Sequence, residues 1–112
     1  MSPRRGEVWL IDFGDPVGRE QAGLRPAVVV SADALNESQA GVVIVIPTTT
    51  RRRALPSHVE IEPGASGLDE ISYAKCEDVK SVSEQRLITR LGLIDDEAAF
   101  RMGRVLGFLL DL

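Results

Sequence analysis

The chain has 112 residues, 44% of them apolar, 27% charged and 4% aromatic, which suits one compact domain over residues 1–112 and excludes both two ordinary domains and a disordered chain. A single cysteine, Cys76, closes no internal disulfide, and without a signal peptide or long apolar run the expected setting is the reducing cytoplasm, with no membrane partner. The net charge of −4 opposes general affinity for phosphate. It is uneven, however: residues 1–58 carry seven Lys/Arg against six Asp/Glu, residues 59–112 six against eleven, or +1 and −5, so an anion-facing surface is expected from the first half.

Gly6 to Phe13 is apolar at nearly every other position and predicts a strand buried on one face, with Trp9 in the core and its indole N–H in need of a partner. Gly14-Asp15-Pro16 ends it, and a glycine-bounded loop follows to Arg25. Pro26 to Ser31, continuous in Val and Ala, predicts a strand covered on both faces. Asp33 to Ser38 fits one short helical turn. Gly41 to Thr49 is the strongest strand, rich in β-branched residues, with Pro47 expected to end or bulge its pairing. Arg51-Arg52-Arg53 falls on a loop, His58 to Glu62 alternates as a shorter strand, and Ile71 to Glu77 and Val79 to Val82 follow the Gly64–Gly67 turn.

Ser83 to Arg86 reads as a helical turn and Leu87 to Ile94 as the last strand. Asp95 is a helix N-cap, and Ala98, Met102, Val105, Leu106, Leu109 and Leu110 recur at the spacing of an amphipathic helix. Many short strands and one terminal helix predict a mainly β fold, a small, strongly curved, barrel-like sheet capped by that helix.

Common catalytic sites are excluded by composition. One histidine and one cysteine cannot supply a zinc site. No phosphate-cradling glycine loop is present, and His58 reads as a structural or surface residue. Three polar clusters remain at strand ends. The loop Gly18-Arg19-Glu20-Gln21-Ala22-Gly23-Leu24-Arg25-Pro26 delivers Arg25, held extended by Pro26, to the mouth of a buried strand. On composition alone its charges only solvate the edge. Thr48-Thr49-Thr50 closes the third strand, where threonine is also simply a good strand former. Lys75-Cys76-Glu77-Asp78-Val79-Lys80-Ser81 is the last, and its charges equally suit an exposed edge.

Taken together, the Gly-x-Glu-Gln-x-Gly-x-Arg-Pro run before a Val-rich strand, the Pro47-Thr48-Thr49 strand end, and Arg5-Gly6-Glu7-Val8-Trp9 at the start resemble the MazF/PemK family of toxin endoribonucleases. The resemblance spans nearly the whole chain. It implies a small SH3-like barrel of the CcdB/PemK-like toxin fold, a homodimer, and a cognate antitoxin with an acidic, partly disordered tail that occupies the RNA path. It also implies cleavage of single-stranded RNA without metal or cofactor, by attack of the ribose 2′-hydroxyl to leave a 2′,3′-cyclic phosphate and a 5′-hydroxyl.

The residues matching the family motif are Arg25, to supply charge against the crowded phosphorane, and Thr49, to donate a hydrogen bond to a non-bridging oxygen. Glu77 is an auxiliary group that becomes a base only if packing raises its pKa. An arginine, with a pKa above about 12, makes a costly base. Arg19, Glu20, Gln21, Phe13, Arg51, Arg52, Lys75, Asp78, Lys80 and Ser81 are the candidate RNA contacts. Phe13 is among the few stacking surfaces. Asp78 stands where relatives often have glutamine and Lys80 where arginine is common, departures that bear on base preference. The same fold also suits a non-catalytic toxin that binds DNA gyrase or an inactive antitoxin-binding module.

Overall fold

The computed structural model describes residues 2–14 and 23–112. Seven strands form one sheet: β1 (Glu7–Asp12), β2 (Leu24–Val29), β3 (Val42–Thr49), β4 (His58–Ile61), β5 (Ser72–Lys75), β6 (Lys80–Ser83) and β7 (Leu87–Leu93). α1 (Asp33–Asn36) is one turn long, and α2 (Asp96–Leu109) closes the chain. The strand order is β4-β5-β3-β2-β1-β7, with β6 also on β3, and every pairing is antiparallel. The sheet of described strands is not closed: β4 and β7 stand at its two ends, so barrel-like describes it only loosely.

Both faces of the sheet's centre are filled. On β2 and β3, Val28 and Ile46 join one cluster with Val8, Val59, Ile61, Ala74 and the α2 residues Ala98 and Met102. The alternate residues Ala27, Val29 and Val45 join a second cluster with Ile11, Val43 and Val82, against which Trp9, Phe13 and Leu87 pack. The expectation that β2 is covered on both faces is therefore met: Ala27, Val28 and Val29 are fully buried. Burying a valine contributes about 1.5–3 kcal/mol, so the β2–β3 ladder is a firm base for a functional group.

Pro47 does not end the third strand. It stays buried within β3, opposite Ala27, at the interval where the strand's other edge passes from β6 (paired with Val42 to Val45) to β5 (paired with Thr48 and Thr49). The missing N–H thus falls where the ladder changes partner. A short 3₁₀ turn, Cys76–Asp78, fills that interval and cuts the expected Ile71–Glu77 strand down to β5. A second 3₁₀ turn, Glu84–Arg86, forms as read, capped by the Ser83 hydroxyl accepting from the Gln85 N–H.

Helix α2 starts at its expected cap: the Asp95 carboxylate accepts the Ala98 N–H at 2.7 Å. Ala98 and Met102 are buried and Val105 and Leu106 half-buried, whereas Leu109 and Leu110 are exposed, so the apolar stripe meets the sheet only over its first three turns. Trp9 is half-buried, and its indole N–H donates to Glu7 at 3.1 Å. None of the described helices is long and apolar enough to cross a membrane.

Candidate active site

The β2–β3 register brings the two principal candidates together. Val29 pairs with Val45, Val28 with Ile46 and Ala27 with Pro47; carried two residues further, the register sets Pro26 beside Thr48 and Arg25 beside Thr49. The Thr48 hydroxyl donates to the Pro26 carbonyl at 3.1 Å, as that extension requires. Residues opposite one another in an antiparallel pair share a face. Arg25 and Thr49 thus continue the row of Ala27, Val29, Val45 and Pro47 past its apolar end, where Arg25 is exposed and Thr49 half-buried.

The three consecutive threonines divide by this geometry. Thr48 is buried and serves the ladder, Thr50 is exposed beyond it, and Thr49 lies at the polar end of the row. The Arg51 backbone N–H donates to Thr49 Oγ1 at 3.2 Å. That bond occupies a lone pair and leaves the hydroxyl hydrogen available to an incoming anion.

The same face extends outward through β5 and β4. Tyr73 lies directly opposite Thr49, and Glu60 directly opposite Tyr73. One rung across four strands therefore reads Arg25, Thr49, Tyr73, Glu60. The next rung on the β5–β4 pair is Lys75 opposite His58. On the β6 side, Lys80 lies opposite Val45, and its ammonium sits 5.3 Å from the centroid of the Phe13 ring. Phe13, Arg25, Thr49, Lys75 and Lys80 are thus gathered on one side of the sheet. Ser81 is not, since it pairs with Ile44 on the alternate face. Arg51 and Arg52 are exposed on the loop after Thr49. Lys75 and Asp78 form an ion pair at 2.8 Å, so each offsets the other's charge. Arg19, Glu20 and Gln21 lie outside the described residues.

Glu77 departs from the condition placed on it. Burial pushes its carboxyl up, but the bonds from His58, its own backbone N–H and Ser57 together outweigh burial and hold it below the usual carboxylate range. Its oxygens are engaged by the Ser57 hydroxyl at 2.8 Å and by His58 Nε2 at 2.9 Å. The condition for a base role, a raised pKa, is therefore not met, and Glu77 is tied to the β4 side of the sheet. From the second half of the chain, β5 and β6 add Tyr73, Lys75 and Lys80 to the same face.

His58 was read from sequence as structural or surface; its side chain is only 2% exposed and pairs with the partly exposed Glu77 carboxylate. Tyr73 was not singled out. Both were within reach of the alternation in 58–62 and 71–77, which sets the face of each residue, but not of any pattern that sets the β3–β5 register.

A family model described as the PemK-like, MazF-like toxin of type II toxin-antitoxin systems matches residues 4–110. The chain belongs to this family. Among MazF-like relatives, the Endoribonuclease EndoA of Bacillus subtilis is 32% identical over 113 residues, covering 100% of this chain and 97% of its own. A crystal structure of MazF from Deinococcus radiodurans superposes with a TM-score of 0.85 at 26% identity, over 100% of this chain and 99% of that one. A mycobacterial endoribonuclease solved in complex with its cognate antitoxin gives a TM-score of 0.82 at 25% identity, over 99% and 97%. The expected toxin fold, mainly β with a C-terminal helix, is thereby shown.

Proposed function

We propose that this chain is the toxin of a toxin-antitoxin pair and cuts single-stranded RNA without a metal ion. The observation that supports the reading is the β2–β3 register, which, continued two residues past Ala27 and Pro47, puts Arg25 beside Thr49 at the polar end of a buried ladder. The endoribonuclease names of the MazF-like relatives support the same reaction class. In the reaction, the 2′-oxygen loses its proton and bonds to the adjacent phosphorus, the P–O5′ bond breaks, and the 5′-oxygen leaves protonated. The products are a 2′,3′-cyclic phosphate and a 5′-hydroxyl.

The Arg25 guanidinium opposes the charge that builds on the phosphorane, and the Thr49 hydroxyl donates to a non-bridging oxygen. Lys80, Phe13, Arg51 and Arg52 contact the strand on either side, with Arg19, Glu20 and Gln21 completing the path. Glu77 serves as an auxiliary group through His58 and not as the acceptor of the 2′-proton. A homodimer with the RNA path along its interface, and an antitoxin whose acidic tail covers that path, complete the reading. The test is to incubate the purified protein with a long, unstructured RNA in EDTA and to determine the chemistry of the new ends. Discrete cuts bearing 2′,3′-cyclic phosphates are expected. Intact RNA, or cleavage that EDTA abolishes, would overturn the proposal.

A further inference from the structure

A guanidinium at the start of a strand is aimed by its backbone, and the two neighbours of β2 hold that backbone to different depths. The pairing of β2 with β3 runs from Val29 opposite Val45 to Ala27 opposite Pro47. The pairing with β1 runs further, to Arg25 opposite Ile11 and Leu24 opposite Asp12. Ile11 is fully buried in the second core cluster, so it is a firm partner for Arg25. Where β2 begins is thus set by where β1 ends.

The end of β1 has less support on its other side. Its pairing with β7 finishes at Ile11 opposite Leu87, after a shift of register between Leu10 and Ile11. Strand ends without a ladder partner open readily. Arg86, which closes the 3₁₀ turn Glu84–Arg86 just before Leu87, supplies the next bond from its side chain: Nη1 donates to the Asp12 carbonyl at 3.1 Å. That carbonyl belongs to the residue opposite Leu24. The guanidinium lies beside Gly14, where a Cβ would stand 3.3 Å from Nη1, so the glycine leaves it room. Three further bonds close the same corner. The Gly14 N–H donates to the Asp12 carboxylate at 2.9 Å, the Phe13 N–H to the Gly23 carbonyl at 2.9 Å and the Gly23 N–H to the Gly14 carbonyl at 2.8 Å.

We propose that Arg86 is a positioning residue for the cleavage reaction: by bonding the Asp12 carbonyl it fixes the corner where β1 hands over to β2, and so the aim of the Arg25 guanidinium, without touching the RNA. The inference rests on the nuclease reading above. A displacement of about 1 Å in a group that opposes transition-state charge costs up to about a hundredfold in rate, whereas one exposed hydrogen bond contributes little to the fold. Arg86 is exposed, so its loss separates rate from stability.

The test compares wild type, Arg86→Ala, Arg25→Ala and the double variant on one susceptible short RNA in EDTA, and measures binding of the same RNA blocked by a 2′-O-methyl group at the cut. Arg86→Ala is expected to lower kcat on the order of tenfold with KM unchanged. In the Arg25→Ala background it adds little, because its effect passes through that side chain. Binding of the blocked RNA and its dependence on salt stay at wild-type values. Hydrogen exchange gives a readout free of RNA: in Arg86→Ala the Phe13 and Gly23 N–H groups exchange faster, while that of Val30, bonded to the Ile44 carbonyl at 2.9 Å, is unchanged. A salt slope reduced by about one would make Arg86 a phosphate contact and overturn the positioning role. Wild-type kcat in Arg86→Ala, a loss of equal size with and without Arg25, or faster exchange throughout the sheet would overturn it as well, and each would leave the nuclease reading standing. Absence of any cleavage by the wild type would overturn both.

Discussion

Glu7→Gln isolates a brace that ties the start of β1 to β7. Glu7 is on β1 with its side chain 11% exposed, and it accepts from the Arg4 backbone N–H at 2.7 Å, the Trp9 indole at 3.1 Å and the Arg90 guanidinium of β7. Burial alone would raise its pKa, but these three donors outweigh it and the carboxyl titrates below its ordinary value. Glutamine keeps one acceptor for Arg4 and Trp9 but turns an amide N–H₂ toward Arg90, so one charge-assisted bond is replaced by a donor facing a donor. The cost at neutral pH is about 1.5–3 kcal/mol. For a domain of this length it lowers Tm by roughly 6–12 °C, taking about 4 °C per kcal/mol.

The pH dependence follows from the sign of the shift. A carboxyl whose folded pKa is depressed contributes stability that is fully present above its unfolded pKa, about 4.3, and is lost as pH falls through the lower folded value. Thermal melts followed by circular dichroism from pH 3 to 8 are therefore expected to show wild type and Glu7→Gln separated by a constant gap above about pH 5. The gap narrows on acidification. A gap that persists unchanged to pH 3, or no gap at pH 7, would refute the account of Glu7.

Three other outcomes follow from the core and its edges. Cys76 is buried, with burial first and the neighbouring Glu77 second raising its thiol pKa to about 11. A thiol reagent at pH 8 should therefore leave the native protein unmodified and react only as it unfolds in urea, whereas stoichiometric reaction of the native protein would contradict this burial. Gly67 has φ of +76°, and a Cβ there would stand 2.0 Å from the Leu91 carbonyl oxygen of β7. Gly67→Ala should thus cost on the order of 3 kcal/mol in urea denaturation, and a wild-type midpoint would show that the loop does not pack on β7 as described. Asp95→Ala removes the α2 cap and should cost about 1 kcal/mol, with the matching loss in Tm; Asp95→Ser should recover most of it.

What was legible in the sequence is what depends on local periodicity. Each strand and the α2 helix are found close to where alternation or helical spacing placed them, because apolar residues two or three to four apart fix which face is buried. The Asp95 cap and the Ser83 turn were legible for the same local reason. Two features that local pattern did not disclose are set by distant partners. Pro47 stays inside β3 because β3 changes neighbour beside it, from β6 to β5, and no property of residues 42–50 announces that exchange. Glu77 is held below the usual carboxylate range by Ser57 and His58, 20 and 19 residues away. Its own neighbours in sequence, Cys76 and Asp78, gave no sign of either bond.

The same distinction runs through the candidate site. Arg25 and Thr49 were named from a family motif, yet their juxtaposition follows from continuing the register between strands. The rung that adds Tyr73 and Glu60 needs two further pairings. A charge count by halves of the chain cannot register this: antiparallel pairing interleaves early and late strands, so Lys75 and Lys80 reach the face that Arg25 occupies. An overall charge of −4 is thereby compatible with a locally basic path.

The most direct test of the central claim is a double-mutant cycle on Arg25 and Thr49, reading single-turnover cleavage of one short RNA in EDTA. If both side chains act on a single phosphodiester, Arg25→Ala and Thr49→Ala each slow cleavage by on the order of 10²–10³, and the double variant is little slower than the worse single one. Full cleavage by either single variant, or losses that multiply independently in the double variant, would contradict it.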